Sequence, residues 1–285
     1  MNILLTGASG QLGHDLLIEL NKRGHNVTGV SSKEFNLSEP ESVRAYLFAL
    51  HPDAVMHCAG YTAVDQAEDD PERCDRINRA GTEAIARVCA EIGCKLLYIS
   101  TDYVFPGTGE RPWEPEDQPN PLNIYGLSKY LGEEAVRKYV AEHFIVRISW
   151  LFGLNGKNFV KTMLRLGAQR DQIAVVNDQI GSPTYTKDLA ILLAEMIVTD
   201  KYGTYHATNE GFCSWYEFAC AIMEQAHLPC RVLPILSDQY PSRAARPSNS
   251  RMSKEKLTRN GFHRLPSWQD ALRRYLEELK EDENG

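Results

Sequence analysis

The sequence predicts an α/β fold built on a doubly wound parallel sheet, followed by a smaller α+β lobe. Three observations carry that prediction. Short β-branched runs alternate with amphipathic helical stretches over the first 150 residues, a glycine-rich turn joins the first run to the first helix, and beyond residue 150 the order loosens into mixed elements. Parallel strands need long crossovers and cover on both faces, and this alternation supplies both.

The expected strands are Asn2–Thr6, Asn26–Val30, Ala54–Cys58, Lys95–Ile99 and Phe144–Ile148. Between the first two, Gln11 to Arg23 sets Leu12, Leu16, Leu17 and Leu20 on one helical face. Ser38-Glu39-Pro40-Glu41 combines capping-box spacing with a first-turn proline, announcing a helix with the stripe Val43, Leu47 and Leu50. A third helix carries Ile77, Ala84, Ile85, Val88 and Ile92. Five prolines from Pro106 to Pro121, in an acidic stretch, mark a long loop of the kind that is functional or mobile in compact domains. Beyond it the reading is helix Asn158–Arg170, strand Ile173–Val176, helix Thr186–Thr199, strand Thr204–Ala207, helix Ser214–His227, strand Arg231–Ile235, and helices near Ser253 and over Ser267–Glu281. The expected division is a sheet-bearing domain over residues 1–150, to which the chain returns within 170–210, and a second lobe over 151–285 that mainly binds substrate.

Composition narrows the function classes. In 285 residues, 43% are apolar and 24% charged, enough apolar chain to fill a core. The 31 basic and 38 acidic side chains leave a net charge of −7, which argues against nucleic acid and anionic membrane surfaces as partners. The longest apolar candidate, Ala190 to Val198, is broken by Glu195 and is too short to span a bilayer. Seven cysteines without a C-x-x-C pair, and no His/Cys set at zinc spacing, predict neither a disulfide framework nor a bound metal. The opening Met1-Asn2-Ile3-Leu4-Leu5-Thr6 lacks the pattern of a signal peptide, so a cytoplasmic setting with reduced thiols is expected.

The chemistry concentrates at strand ends. Gly7-Ala8-Ser9-Gly10-Gln11-Leu12-Gly13 lies where the first strand gives way to the first helix. Amides at a helix N-terminus point at an anion, and missing side chains let a pyrophosphate approach, so this reads as a Rossmann-like dinucleotide turn. An ordinary glycine-rich turn is the plainer alternative. After the second strand come Ser31, Ser32 and Lys33, with no carboxylate until Glu34, a pattern that suits the 2′-phosphate of NADP better than the free hydroxyl of NAD. Tyr125 and Lys129 stand four apart on one helix face after the long loop. A neighbouring cation favours a phenolate, and moving a phenol from pKa ~10 to ~7 represents about 4 kcal/mol. Thr101 and Asp102 close the fourth strand, where a hydroxyl would face the same crevice; a turn cap is the simpler reading.

Several stretches resemble a known family. They are Thr6 to Gly13, Tyr61 to Glu68, Ser100 to Gly107, Pro121 to Gly126 with Lys129, Arg147 to Trp150, Asn158 to Lys161, Asp178 to Thr184 and Arg246 to Ser250. On these the chain resembles the extended short-chain dehydrogenase/reductases and, among them, the dTDP-4-dehydrorhamnose reductase family. The resemblance implies reduction of the 4-keto group of dTDP-4-dehydro-β-L-rhamnose to dTDP-L-rhamnose, the last step of dTDP-rhamnose synthesis, by NADPH, with NADH as second option. It implies Tyr125 as the proton donor to the C4 oxygen, Lys129 as the group that lowers the phenol pKa and holds the nicotinamide ribose, and Thr101 as a hydrogen-bond donor to the reacting oxygen. The cofactor would meet Gly7, Ser9, Gly10, Gln11, Leu12 and Gly13 at its pyrophosphate, Ser31, Asn36 and Leu37 at its adenosine, and Ala59, Gly60, Tyr61 and Ile99 further along. The sugar nucleotide would contact Thr101, Asp102 and Trp150, with Arg246 at its diphosphate, in a monomer or homodimer.

Three other readings stand beside this one, and a single residue counts strongly against the first. A sugar-nucleotide 4,6-dehydratase shares the Thr-Asp start but needs a glutamate next, where this chain has Tyr103. A non-catalytic NADP-binding regulatory subunit, similar to the β subunit of methionine adenosyltransferase, could keep all three of Thr101, Tyr125 and Lys129, and a reductase of another nucleotide-linked 4-keto-deoxysugar would share the whole arrangement.

Overall fold

The computed structural model describes residues 1–284, with side chains through residue 282. In chain order its first half contains β1 (Asn2–Thr6), α1 (Gln11–Lys22), β2 (Asn26–Val30), α2 (Pro40–Leu50), β3 (Ala54–His57), α3 (Val64–Asp69), α4 (Pro71–Asp75), α5 (Gly81–Ile92), β4 (Lys95–Thr101), α6 (Ile124–Tyr139) and β5 (His143–Ile148). The second half adds β6 (Leu151–Phe152), α7 (Phe159–Gly167), β7 (Gln172–Val176), β8 (Ile180–Gly181), β9 (Thr184–Tyr185), α8 (Thr186–Met196) and β10 (Gly203–His206). It ends with β11 (Asn209–Glu210), β12 (Cys213–Ser214), α9 (Trp215–Gln225), β13 (Arg231–Ile235), α10 (Glu255–Arg259), β14 (Leu265–Ser267) and α11 (Trp268–Asn284).

One parallel sheet organises the molecule, in the order β10-β5-β4-β3-β1-β2. Thr6 pairs with Val30 on one side and His57 on the other, so β1, β2 and β3 end level. The loops leaving these strands therefore share one carboxyl edge, where ligands bind in open α/β sheets. On one face, Leu16 and Leu20 of α1 join Leu189, Leu193 and Met196 of α8 over Leu5 and Val146. On the other, Val43 and Leu47 of α2 and Ile85 and Val88 of α5 cover Leu4, Val55 and Leu96. A separate aromatic core in the second half gathers Phe152, Tyr185, Phe218 and Tyr275, with Phe152 stacked on Tyr185 at 5.4 Å. Asp15 of α1 accepts a hydrogen bond from Thr186 at the start of α8, joining the two halves.

Two local expectations give way. The capping box at Ser38 does not form. Glu39 occupies the N-cap of α2 without a side-chain bond to the helix, and Asn36 ties the entry instead, accepting from Ser38 N at 3.1 Å and donating to Glu39 at 2.8 Å. The third helix is not one straight rod. The wide turn Arg76–Ala80 precedes α5. One extra residue in a turn rotates the downstream side chains by ~100°, so Asn78 is directed inward while Ile85, Val88 and Cys89 stay in the core. β4 also runs two residues beyond its expected end, carrying Ser100 and Thr101 into register with Arg147 and Ile148. The proline-rich loop is anchored: Phe105 stacks on Trp113 at 4.9 Å, and Trp113 donates to the Asn249 carbonyl at 3.0 Å.

Candidate active site

The glycine-rich turn forms as the spacing predicts. Gly7 has φ +72°, and a β-carbon there would lie 2.8 Å from Ala59 N. One at Gly13 would fall 2.0 Å from the Gly7 carbonyl oxygen, so helix and strand approach as only glycine allows. Gly10 caps α1 in an extended conformation with no side-chain bond. The Gln11 side chain turns away to accept from Gly153 N at 3.1 Å and Asn158 Nδ2 at 3.0 Å, while Asn155 donates to the Ser9 carbonyl at 2.7 Å. The turn is thereby braced by the loop before α7.

Beside it a cavity of ≈150 Å³ opens, lined by Thr6, Gly7, Val30, Ser31, Ser32, Phe35, Asn36, Leu37, Ser38, Ala59, Gly60 and Ile77. Six of the expected cofactor residues meet here: Gly7, Ser31, Asn36, Leu37, Ala59 and Gly60. Leu12 and Ile99 instead bury their side chains in the core over the sheet, leaving only their main chain to reach a ligand. The Asn36 amide is committed to the entry of α2. Ser31 gives both its N–H, at 3.0 Å, and its hydroxyl, at 2.5 Å, to the Glu34 carboxylate, and these bonds hold that carboxyl below its usual range.

Thr101 at the end of β4 meets Tyr125 on α6, and Lys129 lies one turn further along that helix. Asn123 caps that helix, accepting from Gly126 N at 2.7 Å, and its amide donates to the Ala245 carbonyl at 2.8 Å. The Thr101 hydroxyl donates to Asp102 at 3.0 Å. Burial pushes the Asp102 carboxyl up to about 6, with the hydroxyls of Ser250 and Thr101 working against it, and its Oδ2 has no hydrogen-bond partner. The Tyr125 ring meets Tyr103 edge-on at 5.6 Å.

The phenol pKa moves opposite to the expected lowering. Burial pushes Tyr125 up, and a hydrogen bond with Thr101 offsets this only in part. Burial likewise pushes Lys129 down to about 7, while Glu133 one turn on opposes it. Both charged forms lose water, and that loss outweighs the attraction the i,i+4 spacing promises. The Lys129 ammonium rests on the Tyr98 ring, 4.0 Å from its centroid.

Sequence reasoning missed Asn78. It is buried, its Oδ1 accepts from Tyr61 N at 2.8 Å, and its Nδ2 donates to the Tyr61 carbonyl at 3.0 Å and Ser128 Oγ at 2.9 Å. It thus clamps the Gly60-Tyr61 loop to the helix bearing Tyr125 and Lys129. The only available sign was an asparagine amid an apolar helical stripe.

The segment from Ala244 to Met252 crosses this edge. Arg246 lies against Asp65, at 3.1 and 2.8 Å, rather than standing free for a diphosphate. Ser250 N donates to the Ile180 carbonyl at 2.7 Å, which sets Gly181 between Ser250 and the Trp150 indole. Trp150, at φ +49°, stacks on Trp215 at 3.7 Å. A bulky residue rarely holds a positive φ unless its surroundings demand it. Among the described residues, no three or more His, Cys, Asp or Glu side chains converge to hold a metal ion.

Comparisons with known proteins identify the family. The family model for the RmlD substrate binding domain matches residues 1–281. The chain is 40% identical over 293 residues to the dTDP-4-dehydrorhamnose reductase of Escherichia coli (strain K12), covering 98% of each. It is 41% identical over 276 residues to the spore coat polysaccharide biosynthesis protein SpsK of Bacillus subtilis (strain 168), covering 97% of each. The crystal structure of dTDP-4-dehydrorhamnose reductase from Bacillus anthracis in complex with NADP superimposes with TM-score 0.95 at 43% identity, over 97% of this chain and 99% of that one. A UDP-glucose 4-epimerase from Thermus thermophilus, at 20% identity and TM-score 0.84 over 98% of this chain and 99% of its own, shares the fold. This chain belongs to the dTDP-4-dehydrorhamnose reductase family of the extended short-chain dehydrogenase/reductases.

Proposed function

We propose that the chain reduces the 4-keto group of dTDP-4-dehydro-β-L-rhamnose to dTDP-L-rhamnose with NADPH, NADH serving as second donor. The observation that carries the reading is the hydrogen bond between Thr101 and Tyr125, with Lys129 one turn further along α6, at the same carboxyl edge of the sheet as the glycine-rich cradle. The narrow turn at Gly7 and Gly13 and the cavity beside it suit a dinucleotide.

In this reading Gly7, Ser9, Gly10, Gln11, Leu12 and Gly13 hold the pyrophosphate, Ser31, Asn36 and Leu37 the adenosine, and Ala59, Gly60, Tyr61 and Ile99 the span toward the nicotinamide. Bound there, the cofactor supplies hydride to C4. A phenol that burial keeps protonated is a proton donor, so Tyr125 delivers its proton to the C4 oxygen. Thr101 orients that oxygen. Lys129 binds ribose hydroxyls and, once charged, stabilises the phenolate left behind. Asp102 and Trp150 seat the sugar, and Arg246 faces the diphosphate from its hold on Asp65.

Residues 1–150 form the cofactor domain in this scheme, with the chain returning to it within 170–210, and 151–285 mainly the substrate lobe. The contacts of α8 with α1 and of β10 with β5 support that division. We assign the enzyme to the cytoplasm, as monomer or homodimer. Among the described residues, no helix is long and apolar enough to cross a membrane. The test is loss of reduced-nicotinamide absorbance on adding dTDP-4-dehydro-β-L-rhamnose, with the product identified by mass and NMR. Turnover to dTDP-L-rhamnose is expected. Cofactor binding without turnover of any dTDP-4-keto sugar would replace this reading by a non-catalytic one.

A further inference from the structure

The segment after β2 bends back on itself. Phe35 N donates to the Ser31 carbonyl at 3.0 Å, closing a single turn over Ser31 to Phe35. Phe35 is buried in the core beneath, edge-on to Tyr46 at 5.5 Å, so the turn has a fixed base. Within it the Glu34 carboxylate returns to the strand end and takes both Ser31 donors, at 3.0 and 2.5 Å. Ser31 lines the cavity, which places the carboxylate one hydrogen bond from the space beside the adenosine end. Lys33 is the sole cation between Ser31 and Glu39.

We propose that Glu34 is the residue that sets the choice between the two nicotinamide cofactors, and that it acts in favour of NADH. The inference rests on the dinucleotide reading of the cavity. An adenine ribose with a free 2′-hydroxyl can donate to a carboxylate at the end of β2, as in dinucleotide folds generally. A 2′-phosphate at the same place meets a like charge and competes for the Ser31 donors that Glu34 occupies. Lys33 supplies an opposing attraction, so the protein accepts both cofactors. The apparent lack of a carboxylate after β2 is thus an effect of chain order, because the turn carries Glu34 back to the strand end.

The experiment is equilibrium binding to the full chain, read by the fluorescence of NADPH and of NADH and by competition with 2′,5′-ADP and 5′-AMP. The proteins are wild type, Glu34→Gln and Ser31→Ala. In Glu34→Gln the ratio of NADH to NADPH dissociation constants should rise about tenfold, the scale of one charge-assisted hydrogen bond. The 5′-AMP and 2′,5′-ADP pair should shift the same way, and Ser31→Ala by less. A ratio unchanged within about twofold, with circular dichroism unaltered, overturns the proposal. Because the readout is binding, the two readings fail separately. A shifted ratio without ketone reduction removes only the proposed function, and reduction with an unshifted ratio removes only the role of Glu34.

Discussion

Glu133 and Arg147 form a fully buried bidentate pair, with Nε to Oε1 at 2.8 Å and Nη2 to Oε2 at 2.7 Å. Ser100 donates to the same Glu133 at 2.6 Å, so the pair locks α6 to the ends of β4 and β5, next to Thr101 and one turn from Lys129. Arg137 also donates to Glu133 at 2.7 Å and Arg147 to the Pro115 carbonyl at 3.1 Å, so removing one partner leaves the other buried charge under-paired, and Arg147→Met or Glu133→Gln should cost roughly 3 to 5 kcal/mol in urea unfolding. The double variant Glu133→Leu/Arg147→Met should recover most of that loss. Equal instability of single and double variants would mean that the pair does not carry the coupling.

Tyr125→Phe tests the proton donor. The phenol oxygen is lost while the ring against Tyr103 is kept. We expect kcat to fall by about 10²- to 10⁴-fold with NADPH affinity unchanged. A variant that keeps full turnover would transfer the acid role to another group, with Asp102 first in line.

Lys129 predicts a pH-dependent stability of definite sign. Its pKa in the folded protein, about 7, lies below its ordinary 10.5. Between those values the unfolded chain binds the extra proton, so stability should rise as pH increases from 7 to 10 and be lost as pH falls through 7. The charged form costs roughly 3 to 5 kcal/mol at pH 6. Lys129→Met should therefore be more stable than wild type at about pH 6, with the gap shrinking by about pH 9, while its reductase activity collapses. A gap independent of pH would contradict the assignment.

Asn78→Ala breaks the clamp on Tyr61. With the half-buried N–H of Tyr61 left without its partner, it should lose about 1 to 3 kcal/mol of stability. The distinguishing readout is weaker NADPH binding, by about tenfold, because the Gly60-Tyr61 loop is no longer held. Loss of stability with unaltered binding would reduce Asn78 to a structural role.

What could be read in the chain was local. β-Branched runs placed β1 to β5 within two residues, because strand pairing and helix cover both act on short windows. Gly7 and Gly13 were legible since only glycine fits where the turn meets its own strand. The Tyr125 and Lys129 pair was visible because four residues make one helical turn. Asn78 was not, because the wide turn before α5 leaves no periodic mark. The partnership of Arg246 with Asp65 joins positions far apart in the chain, and no spacing announces it.

By itself, then, the sequence determined the alternating elements, the glycine cradle and the residues able to do proton and anion chemistry, since each depends on neighbours within a turn or strand. Tertiary structure decided the rest. Folding the turn after β2 brought Glu34 to the place where the cofactor is chosen. Burial reversed the expected sign at Tyr125 and set Lys129 and Asp102 near neutrality. Those outcomes depend on which charges lose their water, and water is excluded only when distant segments close over the same edge of the sheet.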